Sequence, residues 1–202
     1  MNNMNKINNS YDLFFKKENL DFNKTEKIVN DSLKKADDGE LFLEFKQSES
    51  FVYDDKKIKN ASISTDKGFG LRSVKDETSA YSHSSNINET SIKNASKVVQ
   101  SILSTSSKSK IINPVRTNKK HYSNINPLNG FSSNEKTKLL KSIDEYARKL
   151  NKKVKQVSAS LHGEWQAVHI LRKGGYHCGD IRPLVRLNIS ITVDDGKRME
   201  TG

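Results

Sequence analysis

Apolar residues recur at helical spacing in two segments of the first half of this chain. One predicts a helix over residues 25–36, with Asn23 and Glu26 in a capping-box arrangement at its start. The other predicts a helix over residues 89–103. The apolar positions are Ile28, Val29, Leu33 and Ala36 in the first segment and Ile92, Ala95, Val98, Val99 and Ile102 in the second.

Between these two helices, apolar and polar residues alternate, which is typical of half-buried strands. One strand is predicted over residues 41–45 and a separate one over residues 51–53. A turn at residues 54–57 then leads into a return strand, and the meander ends near residues 79–83. A helix, an antiparallel meander and a second helix together predict a first α+β subdomain over residues 23–104.

The second half of the chain predicts one helix followed by three strands. Ser132 and Glu135 form a capping box where this helix begins. Within the strands, His162-Gly163-Glu164 reads as a hairpin turn between the first two. The apolar side of the helix consists of Leu139, Leu140, Ile143, Ala147 and Leu150.

The third of these strands, residues 183–194, has the clearest alternation in the chain. Every odd position from Val185 to Val193 is apolar, and the even positions between them are polar. The strand ends at Asp194-Asp195-Gly196, where we expect a hairpin partner that lies beyond the sequence. An apolar face without its partner strand would promote association. We therefore expect the isolated chain to be marginally stable, and to self-associate or require a further domain.

These patterns predict an α+β fold with two subdomains, each a helix plus a mostly antiparallel sheet. The expected organisation is a flexible lead-in at residues 1–22, the first subdomain at 23–104, a linker at 105–131 and a second subdomain at 132–202 that is truncated at its C-terminal end. The linker is rich in Ser, Lys and Asn, and connections longer than about 15 residues are usually functional or mobile.

Composition narrows the class of protein. Hydrophobic residues make up 33% of the 202 residues, and no run approaches the ~20 consecutive apolar residues of a membrane span. The first ten residues lack the apolar stretch of a secretory signal. The single cysteine, Cys178, excludes an internal disulfide. We therefore expect a cytoplasmic protein that does not bind membranes.

The net charge of +11 allows a nucleic-acid partner, although the lysines are scattered along the chain. The best basic segment lies in the predicted linker, close to Tyr122. Such a segment can follow a phosphate backbone, but it is also typical of a solvated linker. We expect no sequence-specific nucleic acid binding. The basic residues concerned are Lys108, Lys110, Arg116, Lys119 and Lys120.

The five histidines and one cysteine raise the question of a metal site. No histidine is followed by Glu and none lies in a predicted helix, so the helical zinc-protease arrangement is absent. His162, His169, His177 and Cys178 cluster in the sequence but lack the short repeated spacings of zinc ligands. His169 shares a strand face with apolar neighbours, which favours a core histidine. We predict no catalytic, cofactor-binding or metal-ligating residue in this chain.

Two further motifs have structural rather than chemical interpretations. Cys178 would need a base to act as a nucleophile, and His177 beside it points to the opposite face of an extended strand. Gly68-Phe69-Gly70 resembles the opening of a phosphate-binding loop but precedes no helix and lacks a third glycine. These glycines instead predict a bend or bulge in the sheet.

Longer stretches of the sequence resemble one family. The stretch ADDGELFLEFKQSESFVYDDKKIKNASISTDKGFGLRSV is similar to the first domain of the TldD/PmbA proteins, with its polar S-E-S segment and its G-x-G-x-R strand. VSASLHGEW and DIRPLVRLNISITVDDGKR resemble the TldD branch. The resemblance extends from about residue 23 to the last residue, and its most specific block is residues 180–186.

This resemblance implies a two-domain zinc metallopeptidase that acts on unstructured peptides as a TldD–PmbA heterodimer. In the family, zinc is held by a His-Glu-x-x-x-His helix and a distant cysteine in the C-terminal half. No position of this sequence matches those ligands. The resemblance therefore implies the N-terminal, non-catalytic part of such an enzyme, partnered by the missing catalytic domain and a PmbA-like subunit.

Two other functions are compatible with the same residues. The chain could be a stand-alone peptide-binding or assembly module, or a basic nucleic-acid-binding protein. The coding sequence immediately downstream distinguishes the first from a fragment, because a His-Glu-x-x-x-His reading frame there would show a continuing enzyme.

Overall fold

The computed structural model describes residues 9–18, 20–102 and 121–202. In these residues, the fold consists of three α-helices and a six-stranded antiparallel sheet, as the alternating and helical patterns predicted. The sheet has the strand order β3-β2-β1-β4-β5-β6. In chain order the elements are α1 (Phe22–Ser32), β1 (Asp38–Asp54), β2 (Lys57–Lys75), β3 (Thr78–Ser84), α2 (Glu89–Ile102), α3 (Ser133–Leu150), β4 (Val154–Arg172), β5 (His177–Asp194) and β6 (Met199–Thr201).

The chain folds into two compact units that interleave along the sequence. The first contains residues 1–46, 66–124 and 166–182, and the second contains residues 47–65, 125–165 and 183–202. Strands β1, β2, β4 and β5 therefore each contribute one part to the first unit and the other part to the second.

In the first unit, α1 and α2 pack against each other, and α2 packs on β3. The fully buried side chains come from both helices and from the strands, among them Leu33, Leu41 and Ile92. A short π-helix, Asp12–Lys17, precedes α1 and buries Leu13 and Phe14 completely.

In the second unit, α3 packs on β1 and β4. Its core cluster contains Phe51, Tyr53, Leu140, Ala159 and Leu161, with Ile143 packed against it. The predicted capping box at the start of α3 is confirmed: the Ser132 hydroxyl accepts from the Glu135 backbone N–H, and the Glu135 carboxylate accepts from the Ser132 backbone N–H.

Three predicted element boundaries are wrong. Helix α1 begins three residues early, because the Asp21 carboxylate caps it by accepting from the Lys24 backbone N–H at 2.9 Å. The two strands predicted around residues 41–45 and 51–53 are one strand, β1. The hairpin predicted at His162-Gly163-Glu164 does not exist, because β4 runs straight through it.

The turns that do occur have the expected chemistry. Asp55 and Lys56 both have positive φ, 42° and 65°, as a two-residue hairpin turn between β1 and β2 requires. At the end of β5 the chain turns and returns as β6, so that Thr192–Asp194 pair antiparallel with Met199–Thr201. The prediction that this hairpin partner lies beyond the sequence is therefore wrong.

The bulge predicted at Gly68-Phe69-Gly70 is not found at Gly70. The antiparallel register between β2 and β3 is continuous from Phe69↔Ser84 to Lys75↔Thr78. A Cβ at Gly70 would lie 2.5 Å from the Tyr81 Oη and 2.8 Å from its Cε2. Gly70 therefore makes room for the Tyr81 ring, which lies across the strand.

Candidate functional site: a polar groove on the second unit

The second unit carries a groove of about 510 Å³, which we call the polar groove. Four neighbouring strands contribute to it, and most of its lining side chains are hydroxyls, an amide or charged groups. The lining residues are Ser48, Glu49 and Ser50 from β1, Ser62 and Ser64 from β2, His162, Gly163 and Glu164 from β4, and Leu184, Arg186 and Asn188 from β5.

Strand alternation explains why the polar residues gather here. Residues two apart on a strand share a face, so Ser48 and Ser50 point the same way and Glu49 between them points to the opposite face. On β5 the same rule places Leu184, Arg186 and Asn188 on the groove side. The S-E-S and H-G-E segments, which broke the apolar pattern in the sequence, thus meet in one site.

Beneath the polar groove lies a buried ion pair that fixes α3 to the sheet. The Lys136 Nζ donates to the Glu49 carboxylate at 2.6 Å, and each side chain is only 6% exposed. The same ammonium donates to the Leu128 carbonyl at 2.7 Å and lies 5.8 Å from the centre of the Phe51 ring. Because both charges are desolvated, each depends on the other to remain buried.

Gly163 is the residue in β4 that makes space for this pair. A Cβ at Gly163 would lie 2.4 Å from Leu128 Cδ2 and 3.1 Å from both Cγ and Oε1 of Glu49. A larger residue would therefore displace the carboxylate or the leucine. Gly163 in β4 thus leaves the space that the inward-pointing Glu49 side chain of β1 occupies.

The charged groups that face the polar groove are not neutralised by one another. In the described part of the chain, neither Glu164 nor Arg186 forms an ion pair, and the Arg186 Nε donates only to the Asn188 side chain, at 2.8 Å. Hydroxyls and an amide can donate to or accept from peptide backbone groups, while a carboxylate and a guanidinium can pair with charges. The polar groove is therefore equipped to hold an extended polar ligand.

The sequence reasoning missed most of this site. Arg186 and Asn188 were noted only as the polar side of an alternating strand, and Ser62 and Ser64 were not considered. All four strands carry polar residues at every second position, as expected for a sheet face that contacts solvent. This shared pattern is the signal that could have located the site.

His169 lies in the first unit and is the core histidine that the sequence predicted, with 3% exposure. Its Nδ1 is 3.0 Å from the Ser10 hydroxyl, and its Nε2 is buried without a hydrogen-bond partner among the described residues. Burial, with a smaller effect of neighbouring His177, lowers the pKa of His169 to about 4. The ring packs against Phe15, at 5.2 Å, and against His177, at 5.4 Å between centres.

The metal ligands considered from the sequence do not form a zinc site in this structure. His162 belongs to the second unit, whereas His169, His177 and Cys178 belong to the first. Within the described ranges, no three side chains of His, Cys, Asp or Glu come together to hold a metal. Structural zinc takes four such ligands, so the residues described here do not fit that ion.

The remaining sequence candidates are placed as follows. Cys178 is half-buried in β5, and His177 packs edge-on against Phe22, at 5.1 Å between ring centres. Tyr122 is exposed, while the basic residues 108–120 next to it lie outside the described residues. In the part of the chain that the structure covers, no helix is long and apolar enough to cross a membrane.

The chain is thus an α+β protein with an antiparallel sheet, and its second unit carries the polar groove. Two family models match this chain in succession. The model of the PmbA/TldA metallopeptidase domain 1 matches residues 39–104, and that of the PmbA/TldA metallopeptidase central domain matches residues 126–202. The chain belongs to the PmbA/TldD family.

Curated relatives agree with this assignment. The chain is 33% identical over 171 residues to a metalloprotease TldD homologue of Buchnera aphidicola subsp. Acyrthosiphon pisum, and the match covers 84% of this chain and 35% of the relative. It is also 33% identical over 178 residues to the Haemophilus influenzae homologue, covering 85% of this chain and 36% of that protein. The chain thus spans about a third of the length of these relatives.

Solved structures show the same fold at low sequence identity. TldE from Thermococcus kodakarensis superimposes with a TM-score of 0.66 at 15% identity, over 87% of this chain and 40% of that one. A candidate modulator of DNA gyrase from Thermotoga maritima gives a TM-score of 0.70 at 14% identity, over 90% of this chain and 42% of that one.

Proposed function

We propose that this chain is the N-terminal, non-catalytic part of a TldD-type zinc metalloprotease that cleaves unstructured peptides. The observation that carries the proposal is the order of the two domain matches in a chain that spans about a third of its metalloprotease relatives. On this proposal the zinc ligands and the activating glutamate belong to the remaining part of the enzyme, and residues 1–202 contain no His-Glu-x-x-x-His.

We also propose where the chain acts, which proteins it binds and how its domains are arranged. We propose that it works in the cytoplasm and pairs with a PmbA-like subunit as well as with the catalytic domain. The proposed organisation along the sequence is a lead-in at residues 1–22, subdomains at 23–104 and 132–202, and a linker at 105–131. The two family matches, which leave residues 105–125 between them, support this arrangement.

Within this function we assign to the polar groove the role of holding the peptide. An unstructured peptide presents alternating backbone donors and acceptors, which the serine hydroxyls and Asn188 can satisfy without reading its sequence. Arg186 and Glu164 lack ion-pair partners in the described residues, so they can pair with charged groups of the peptide. Such contacts suit a protein that binds many peptides weakly.

Titration of the chain with a short, unstructured synthetic peptide tests this role. We expect NMR shift changes at residues of the polar groove, and binding that weakens several-fold in Arg186→Gln and Glu164→Gln. Arg182→Gln is the matched control, because Arg182 is an exposed arginine of the same strand outside the groove. Equal effects of Arg182→Gln and Arg186→Gln would contradict the assignment.

A further inference from the structure

Helix α3 exposes a second apolar side besides the one in the core. Leu139, Ile143, Tyr146 and Leu150 follow one another at spacings of four, three and four residues, which places them along one flank of the helix. Leu139, Tyr146 and Leu150 are exposed, the last two to more than 60%, while Ile143 connects this flank to the core cluster. We call these four residues the α3 stripe.

Strand β5 exposes an apolar row on the same side of the sheet as α3. Leu184 and Arg186 line the polar groove, so the alternate residues Val185, Leu187 and Ile189 point to the other face. That face is the one on which α3 packs. These three side chains are 54%, 44% and 45% exposed. We call them the β5 row.

The α3 stripe is on the flank of the helix that is directed toward β5. Arg148 lies about half a turn around α3 from the stripe. The Arg148 guanidinium donates to Asp55, in the turn between β1 and β2, and to the Lys155 carbonyl. One flank of α3 is thus held toward the β1–β2 side of the sheet, and the opposite flank looks toward β5 in the strand order β2-β1-β4-β5. The α3 stripe and the β5 row together form a two-sided apolar surface, with α3 as its wall and β5 as its floor. We call this surface the apolar angle.

From this geometry we infer that an amphipathic helix docks in the angle, supplied by the polypeptide that follows the central domain in full-length relatives. This source rests on the proposed function. The stripe spans twelve residues, or about 17 Å of helix, so the angle accommodates an added helix of three to four turns. Such a helix contacts wall and floor at once and therefore needs an apolar arc broader than a coiled-coil seam.

A second copy of α3 is a poorer fit than this added helix. The solvent side of α3 carries Lys138, Glu145 and Lys149, so the helix has no apolar arc that reaches beyond its stripe on that side. Lys138 and Lys149 border the wall instead, where they favour acidic residues on the flank of the incoming helix. The relatives of this chain have about two thirds of their length outside the matched region, which is ample to supply such a helix.

Overlapping synthetic peptides from the unmatched two thirds of the Haemophilus influenzae homologue are the probe for this site. Each is titrated into the isotope-labelled chain, and amide shifts are followed by NMR. We expect a peptide with an apolar arc and an acidic flank to shift amides of α3 and β5. Binding should weaken at least tenfold in Tyr146→Lys and in Leu187→Lys. Ser190→Lys, on the opposite face of β5 and outside the polar groove, should bind as the unmodified chain does.

Three results would overturn the inference. The first is that no peptide shifts these amides at a concentration of about 1 mM. The second is binding that is unchanged in both lysine variants. The third is a dimer of the chain that Leu187→Lys converts to a monomer, because the occupant would then be a second copy. A failure of the proposed protease function would appear in peptide cleavage, which this titration does not measure.

Discussion

His169 is a titratable residue that the fold buries almost completely. Its neutral ring is buried among aromatic side chains and bonds Ser10, whereas an unfolded chain would expose it to protonation at ordinary pH. Its pKa is lowered in the folded protein to about 4, so the unfolded chain binds more protons between about pH 6.5 and 4. Stability from this residue is present above pH 6.5 and is lost as the pH falls toward 4.

This sign gives a prediction for the pH dependence of unfolding. Between pH 6.5 and 4, the free energy of unfolding should fall by up to about 1.4 kcal/mol per pH unit because of His169. His169→Gln, which does not titrate, should remove most of that slope whatever its own stability. Urea unfolding at several pH values measures it. The lowered pKa of Asp38 acts in a more acidic range, so it does not imitate this effect.

His121→Gln is the matched control, since His121 is exposed at the surface. An unchanged slope in His169→Gln, or an equal change in His121→Gln, would contradict the account of a buried neutral histidine.

At the scale of single elements, the ion pair of Lys136 and Glu49 joins α3 to β1. Glu49→Gln leaves a buried ammonium without its carboxylate, and removing one partner of such a pair costs about 3–5 kcal/mol. Replacing both residues together, as Glu49→Leu with Lys136→Met, should recover most of this loss because no buried charge then remains. Urea denaturation of the two variants measures the difference.

Glu164→Gln serves as the comparison, because it removes a carboxylate of β4 that has no ion-pair partner in the described residues. It should change stability by less than about 0.5 kcal/mol. A double variant as unstable as Glu49→Gln would show that the pair is held for another reason than mutual neutralisation.

The same pair explains which elements could be predicted from the sequence and which could not. The capping box of Ser132 and Glu135 is local, so α3 was predicted correctly. Glu49 falls in the gap between two predicted strands and Gly163 in a predicted hairpin turn, and both predictions are wrong. The two residues are compatible with continuous strands only because Lys136 and Leu128, distant in sequence, fill the space between them.

The apolar residues at odd positions of β4 nevertheless indicate one continuous strand. Val157, Ala159, Leu161, Trp165 and Ala167 keep a period of two through Gly163, which a hairpin turn would have broken. The turn-like composition of His162-Gly163-Glu164 is therefore a weaker indicator of structure than the unbroken period. The polar groove was missed for a related reason, since it combines four strands and no single segment reveals it.

At the scale of the whole molecule, the net charge of +11 allows a separate test against the nucleic-acid alternative. If the charge reflects general composition, DNA binding should be weak, independent of sequence and steeply reduced by salt. Gel shifts from low salt to about 0.15 M measure this. Submicromolar, sequence-selective binding at the higher salt would favour a nucleic-acid-binding protein.

The two apolar surfaces of the second unit connect the fold to the proposed function. Val185, Leu187 and Ile189 are about half exposed, so full burial could add to each about half of the ~1.5–3 kcal/mol expected for a fully exposed side chain, together a sizeable part of the about 5–15 kcal/mol that stabilises a domain. We therefore propose that the chain by itself is marginally stable. A docking helix would raise its melting temperature, whereas a protein with a covered β5 row would show no such change.

Cleavage of an unstructured peptide tests the central claim most directly. The assay compares the isolated chain with a chimera in which this chain replaces the matched third of the Haemophilus influenzae homologue. We predict that the isolated chain neither binds stoichiometric zinc nor cleaves the peptide, and that the folded, zinc-loaded chimera cleaves it in a chelator-sensitive reaction. Chelator-sensitive cleavage by the isolated chain with one bound zinc, or a folded and zinc-loaded chimera without activity, would contradict the account.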